Sequence, residues 1–296
     1  MKHSVTNYKV NCSEIAAVMS NAKDNNPVPD EKIDDAIIKL DKKGKKLTDA
    51  QVVNLKDVIT KVSDYSPKYL SKTARKSLVN FYSRDFFGRG EISGGGRKPR
   101  SLEKGKTQEY LSIKLLSEVT GIEFEKNEKL FQNKFFKGKP DILVRNAKNI
   151  NTIAIDVKTP IDMPSYIFNV MERNIAPNIY WQAQGYMSIF NIDTIDIYQI
   201  LVNMSDSVIE QEKAKVIENG IKQKLSVSEI EDRLVQVDIN MKYDDIEEHG
   251  RVFKTTIERN VIDIRDAKNR VLLAREYMEQ ISSKMLEIGL KKKVLP

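Results

Sequence analysis

From Asn151 to Lys158 the chain alternates with a period of two, and that pattern narrows what it can become. Ile153, Ile155 and Val157 fall on one face of an extended strand, and Ala154, Asp156 and Lys158 on the other. The run Gly138-Lys139-Pro140-Asp141-Ile142-Leu143-Val144 comes before it, and Asn146-Ala147-Lys148-Asn149 has the composition of a turn. Together they predict a β-hairpin whose apolar face enters a core. The other face carries an acid and a base about 6–7 Å apart, at roughly 3.3 Å per residue. Asp141 opens the first strand. Set opposite Ala154 or Asp156 it shares their face, and a slip of one residue turns it away. The sequence leaves that register open.

Two carboxylates and a lysine on one hairpin suit magnesium-dependent hydrolysis of a phosphodiester. Mg²⁺ takes hard oxygen ligands. A bound metal makes water more acidic and stabilises the oxyanion that forms on phosphorus. A surface strand with a solvated Asp and Lys would show the same triplet, so other elements must decide. A third acid, Glu109, lies on a predicted helix over 104–121 that stops at Gly121. It shares a stripe with Ile113 and Leu116. A carboxylate on a buried stripe is costly unless it meets a cation or a donor. A further helix, Tyr180 to Phe190, places Gln182 and Tyr186 one turn apart on one face.

These elements resemble, in their order along the chain, the PD-(D/E)xK nuclease superfamily. Within it they are most similar to the lambda-type (YqaJ-like) phage recombination exonucleases. The matching pieces are Gly105 and Glu109 on a helix ending Thr120-Gly121, then Pro140-Asp141, Asp156-Val157-Lys158 with Thr159-Pro160, and Gln182-x-Gln184-x-x-Met187. Cys12-Ser13-Glu14-Ile15-Ala16 resembles the small-Ser-acid helix start of the family. The likeness runs from about residue 10 to 203, and Arg251 to Met278 resembles the strand and long helix that close some members.

The resemblance implies an α/β fold with a restriction-endonuclease-like core, a central mixed sheet flanked by helices, with helical additions at both ends. It implies that Glu109, Asp141, Asp156 and the carbonyl of Val157 hold one or two Mg²⁺ ions, with Mn²⁺ as substitute. It gives Lys158 the attacking water and the phosphate charge, and Gln182 the scissile phosphate or DNA end. Ser13, Arg89, Arg97, Lys98 and Arg100 become DNA contacts. The implied activity is exonucleolytic degradation of linear double-stranded DNA, 5′ to 3′, exposing single strand for phage-type recombination. The implied partners are DNA ends, a single-strand annealing protein and copies of the chain in a ring, often a trimer. A structure- or sequence-specific endonuclease, or an inactive DNA-binding accessory protein, could be built on the same core. One departure stands out: lambda-type members carry an arginine for the 5′ end before the Ser-acid start. Here Tyr8-Lys9-Val10-Asn11-Cys12-Ser13 has only Lys9, a point charge without the bidentate fork.

Composition sets the remaining limits. A chain of 296 residues fits one large domain, and we expect a single nuclease domain with a helical region over 1–101, a catalytic core over 102–203 and a helical region over 204–296. A net charge of +7 favours a polyanionic partner. The single cysteine, Cys12, excludes an internal disulfide and a four-cysteine iron–sulfur cluster, and points to a reducing compartment. Two histidines, His3 and His249, leave little for histidine bases or zinc. No apolar run reaches a membrane span and no secretory signal is visible, so a cytoplasmic location is expected.

Residues 13–82 have helical patterning, with Ser13 and Thr48 as N-caps, stripes at Ile33, Ile37, Leu40 and at Val52, Leu55, Ile59, Val62, and a linker over 25–30. The glycine-rich, basic stretch from Ser83 to Arg100 reads as a loop that closes on a phosphate backbone, with Phe86 or Phe87 against a base. Ile195–Val202 reads as a strand, Ser205–Tyr243 as charged helix, Arg251–Ile257 as an edge strand and Asn260–Ile288 as a long helix. That helix carries the stripe Ile264, Ala267, Val271, Ala274, Met278, Ile281. The Lys291-Lys292-Lys293 tail reads as solvated.

Overall fold

The computed structural model describes residues 5–20, 48, 51–52, 70–89, 104, 108–145, 152–172 and 175–290. In chain order the elements are β1 (Val10–Asn11), α1 (Ile15–Met19), α2 (Lys72–Tyr82), α3 (Glu109–Thr120), β2 (Phe131–Gln132), β3 (Phe136–Gly138), β4 (Ile142–Arg145) and β5 (Thr152–Lys158). They continue with α4 (Met163–Glu172), α5 (Pro177–Phe190), β6 (Thr194–Ile200), α6 (Asp206–Lys222), α7 (Val227–Met241), β7 (Val252–Glu258) and α8 (Val261–Glu287). They divide into two compact units. One comprises 1–93, 132–137 and 260–296, and the other 94–131 and 138–259.

The second unit is built on a four-stranded mixed sheet in the order β4-β5-β6-β7. The expected hairpin is present: β4 and β5 run antiparallel, with Ile142 opposite Ile155 and Arg145 opposite Thr152. β5 and β6 run parallel, with Lys158 opposite Gln199. Parallel neighbours need a crossover, and α4 and α5 supply it. β7 pairs antiparallel with β6 at the edge, as its sequence predicted. α3 lays Ile113, Leu115 and Leu116 against Ile142, Ile155, Val157 and Ile200, forming the core beneath the hairpin. Its stop is as read: Gly121 takes φ of +68°, the left-handed C-cap that a side chain resists.

Two details of β5 differ from the alternation. Ile153, expected in the core, is 52% exposed, because it lies toward the turn end of the strand and the α3 residues cover only its later half. The face carrying Ala154 and Asp156 is not solvated either; both are at most 1% exposed. A strand covered on both faces is what a sheet with crossover helices requires.

α6 and α7 form a helical pair. Ser226 and Glu229 make a reciprocal capping box at the start of α7. Gly220 lets the helices close up: a Cβ there would stand 2.7 Å from Ile230 Cγ1.

In the first unit β1 runs parallel to β3, with Val10 opposite Phe136. The long helix α8 is capped by Asn260, whose side chain accepts from the backbone N–H groups of Ile262 and Asp263. Its stripe is core over most of its length: Ile264, Ala267, Val271, Ala274 and Met278 are buried, Ile281 is half-buried, and the helix packs on α1, α2 and the 3₁₀ turn Val5–Asn7. Thr48 caps as predicted, its Oγ1 accepting from Gln51 N at 3.3 Å while Gln51 Oε1 accepts from Thr48 N at 2.9 Å. Ser13 does not cap. Cys12–Glu14 form a 3₁₀ turn, and the helix begins one residue later than the hydroxyl could serve, after Glu14. The stripes at 33–40 and 55–62, the linker over 25–30 and the lysine tail lie outside the described residues.

Candidate active site

Asp141 stands one residue before β4. Continuing the β4–β5 register by one step sets it opposite Asp156, so the two carboxylates share a face. The open question of register is thus resolved in favour of a common face. Asp141 Oδ2 accepts a hydrogen bond from the backbone N–H of Val157 at 2.6 Å. It is fixed from behind by the segment after α3: Asn127 N donates to the Asp141 carbonyl at 2.7 Å and Asn127 Nδ2 to that of Pro140 at 2.9 Å.

Asp156 lies in the middle of the unit, 1% exposed. Its Oδ1 accepts from Gln182 Nε2 at 3.2 Å. Its Oδ2 is buried and ion-paired with Lys158, whose Nζ is 2.5 Å away. Lys158 also donates to Gln182 Oε1 at 3.3 Å. Gln182 therefore bridges acid and base, and its orientation is set by Tyr186, whose hydroxyl meets Nε2 at 3.1 Å and donates to the Lys139 carbonyl at 3.0 Å. The one-turn spacing of Gln182 and Tyr186 on α5 makes this possible.

The electrostatics follow from burial. Burial and the neighbouring Asp156 charge push the Asp141 carboxyl well above the usual carboxylate range. Burial also works against the Lys158 ammonium, but Asp156, Asp141 and Glu109 outweigh it and hold that amine above the ordinary lysine value.

Glu109 begins α3 at the edge of the Ile113–Leu116 stripe, partly exposed. Its nearest cation is Lys126, Nζ to Oε2 at 3.3 Å, and Lys126 also reaches Glu128 at 3.3 Å. Among the described residues no three His, Cys, Asp or Glu side chains are gathered closely enough to enclose a metal ion. Glu109 is turned to Lys126, while Asp141 and Asp156 face each other. The donor set nevertheless fits a hard cation. It offers two carboxyl groups side by side on one face, Asp156 buried and Asp141 half-buried, with Asp156 Oδ2 held by the Lys158 ammonium, and a third carboxylate within electrostatic reach of both Asp141 and Lys158.

Sequence reasoning missed three residues around the site. Lys126 bridges Ile142 through its backbone and holds Glu109, a tertiary contact that leaves no periodic trace. Ser112 Oγ meets Thr159 Oγ1 at 3.0 Å. Lys104, 1% exposed, donates to the Ile161 carbonyl at 3.1 Å with Tyr243 beneath its ammonium, and burial lowers its pKa to about 8. Ser112 and Lys104 thus anchor the segment that leaves Lys158. A lysine before a glycine reads as solvated, so no sequence signal marked it.

The nucleic-acid candidates are placed unevenly. Ser13 is exposed in its 3₁₀ turn and Arg89 is exposed after the left-handed Gly88. Arg97, Lys98 and Arg100 lie outside the described residues. Ser83–Phe87 is not loop but a π-helical turn that continues α2. Phe86 stacks on Tyr82 at 4.7 Å and Phe87 meets its edge at 6.0 Å, so this aromatic pair packs on the protein's own ring rather than standing free for a base. Arg84, which the sequence did not single out, pairs with Glu14 and with Asp85 at 2.7 Å.

No family model and no curated protein sequence matches the chain. Solved structures do. A phage-related exonuclease from Haemophilus somnus 129PT aligns with a TM-score of 0.61 at 21% identity, over 94% of this chain and 97% of that one. An alkaline exonuclease from Laribacter hongkongensis aligns at 0.51 and 14%, over 95% and 94%. Its complex with dAMP aligns at 0.51 and 14%, over 97% and 96%. The chain has the nuclease fold of these proteins, as the order of its motifs led us to expect. Among the described residues no helix is long and apolar enough to cross a membrane.

Proposed function

We propose that this protein is a metal-dependent exodeoxyribonuclease that degrades linear double-stranded DNA, 5′ to 3′, leaving single strand for phage-type recombination. The observation that carries the reading is the Asp141–Asp156–Lys158–Gln182 constellation around the buried Asp156, standing in a fold shared along nearly the whole chain with a phage-related exonuclease. Asp141, Asp156, Glu109 and the Val157 carbonyl would hold Mg²⁺, with Mn²⁺ as substitute. A cation bound there supplies an acidified water and a positive charge facing the phosphate. Lys158, kept as an ammonium by its acidic neighbours, offsets phosphate charge and orients the water. Gln182 holds Lys158 and Asp156 in register and offers its amide to the phosphate. Ser13 and Arg89, with Arg97, Lys98 and Arg100, contact DNA in this reading. A ring-shaped oligomer and an annealing partner rest on the family resemblance alone.

The test is digestion of linear duplex with Mg²⁺ or EDTA, beside a covalently closed circle. Metal-dependent loss of the linear form alone is expected, with 5′-labelled ends released first. Cutting of the circle would move the assignment to an endonuclease, and binding without turnover would sink it.

Metal and protons should compete for the site. Asp141 has a folded pKa raised above its unfolded value, so its ionised form is a penalty to the metal-free fold that fades as pH falls through the folded pKa. Binding a cation requires the carboxylate, so protons must leave. We expect Mg²⁺ to raise the melting temperature more at pH 8 than at pH 5.5. Titration calorimetry at the lower pH in two buffers should report proton release. Equal shifts at both pH values with no proton release would contradict the assignment.

A further inference from the structure

Unit 1 gathers cations around two rings. Arg275 Cζ lies 5.6 Å, Lys134 Nζ 5.7 Å and Lys268 Nζ 5.8 Å from the centroid of Phe135, and Lys137 Nζ lies 5.9 Å from that of Tyr8. The platform is rigid. Asn133 Oδ1 accepts from the backbone N–H groups of Phe135 and Phe136, both at 2.8 Å, and β3 is paired to β1. Lys268 and Arg275 stand on the long helix α8.

Among the described residues these cations lack carboxylate partners of their own, while Asp85 and Glu14 act on the Tyr8 hydroxyl. Arg275 is only 8% exposed; its Nε donates to the Tyr8 carbonyl at 2.9 Å and its Nη2 to the Lys134 carbonyl at 2.6 Å. Carbonyls satisfy its hydrogen bonds but not its charge. Among the described residues none of the four cations forms an ion pair with a carboxylate. Elsewhere among the described residues opposite charges are brought together, as at Lys213–Asp238–Lys242. Cation–π contacts of about 0.5–1 kcal/mol each hold such groups in place without cancelling their repulsion. A polyanion does both, and gains the entropy of released counterions.

We propose that Lys134, Lys137 and Lys268, gathered around Phe135 and Tyr8 with the buried Arg275, form a docking surface for the phosphate backbone of duplex DNA. The proposal rests on the nuclease reading for the identity of the polyanion. It is a contact without base readout, because Tyr8 is buried and the cations crowd the half-buried Phe135 ring, leaving no open face for a base to stack on.

The test is equilibrium binding of a labelled linear duplex in EDTA by the full chain and its Lys134→Gln/Lys137→Gln/Lys268→Gln variant, from 50 to 200 mM salt. Three lost phosphate contacts should lower the slope of log K against log salt by about 2.7. Across that fourfold range the unaltered protein then loses about 40-fold more affinity than the variant. KM for hydrolysis should rise with kcat unchanged, and the melting temperature should hold. If the triple variant melts early, Lys134→Gln and Lys268→Gln singly should each lower the slope by about 0.9. Unchanged slope and affinity in a folded variant overturn the surface while hydrolysis by the parent keeps the nuclease reading. A lowered slope with no hydrolysis by any form overturns the nuclease reading and keeps the surface.

Discussion

Replacing Asp141 with Asn should abolish hydrolysis and at the same time make the metal-free protein harder to melt. On the proposed reading, in which Asp141 is an anionic metal ligand, the loss of activity is expected to be about 10³-fold or more. The gain in stability follows from what Asp141 endures. It is buried against Asp156, and both burial and that charge oppose its ionisation. Asn keeps an oxygen to accept from Val157 N, so the backbone contact at 2.6 Å survives while the repulsion does not. Thermal melts at pH 8 in EDTA, beside a hydrolysis assay, check both halves. A variant that melts earlier than its parent in EDTA would mean that Asp141 is held mainly by Lys158, and the account of the pair would be wrong. With Mg²⁺ present the order should reverse, because only the parent gains from the cation.

Lys158→Met should act in the opposite direction on stability. It leaves the Asp156 carboxylate, whose side chain is 2% exposed, without the ammonium at 2.5 Å. Breaking a fully buried pair costs about 3–5 kcal/mol. The Lys158 side chain is 28% exposed, so water shares the load and about 2–3 kcal/mol is the better expectation. That corresponds to a fall of about 3–5 °C in melting temperature for a chain of this length. Activity should drop by about 10²–10³-fold, the loss seen when one charge-stabilising donor is removed. The informative readout is metal affinity. In the proposed site Lys158 and the cation share the same carboxylates, so the variant should bind Mg²⁺ more tightly in calorimetry while hydrolysing more slowly. Weaker Mg²⁺ binding would show that the lysine does not share the metal's ligands.

What sequence made legible follows the range of each interaction. The hairpin, the Glu109 helix with its Gly121 stop and the Gln182–Tyr186 face are local patterns, and each stands where its period put it. The register of Asp141 was not legible, because a two-residue period fits either face until the strands are paired. Lys126 on Glu109, Lys104 under the Ile161 carbonyl and Arg84 on Glu14 join residues 17, 57 and 70 positions apart, and nothing local announces them. Ser13 misled because a hydroxyl before an apolar run reads as a cap whether the next turn is α or 3₁₀. Phe86 and Phe87 misled because a glycine-rich neighbourhood says nothing about a ring one turn back.

The patchwork of unit 1 has a consequence for the order in which the chain is made. Val10, Ile15 and Val18 belong to its first segment, while α8, on which α1 rests, belongs to its last, and the whole mixed sheet is synthesised between them. A ribosome therefore releases the opening apolar residues long before their partner exists. Unit 2, whose segments all precede residue 260, has every strand in hand by then. The Asp141–Asp156 hairpin has all its sheet neighbours before α8 is made, and the packing of α8 on α1 joins residues far apart in sequence, the kind of contact that slows folding.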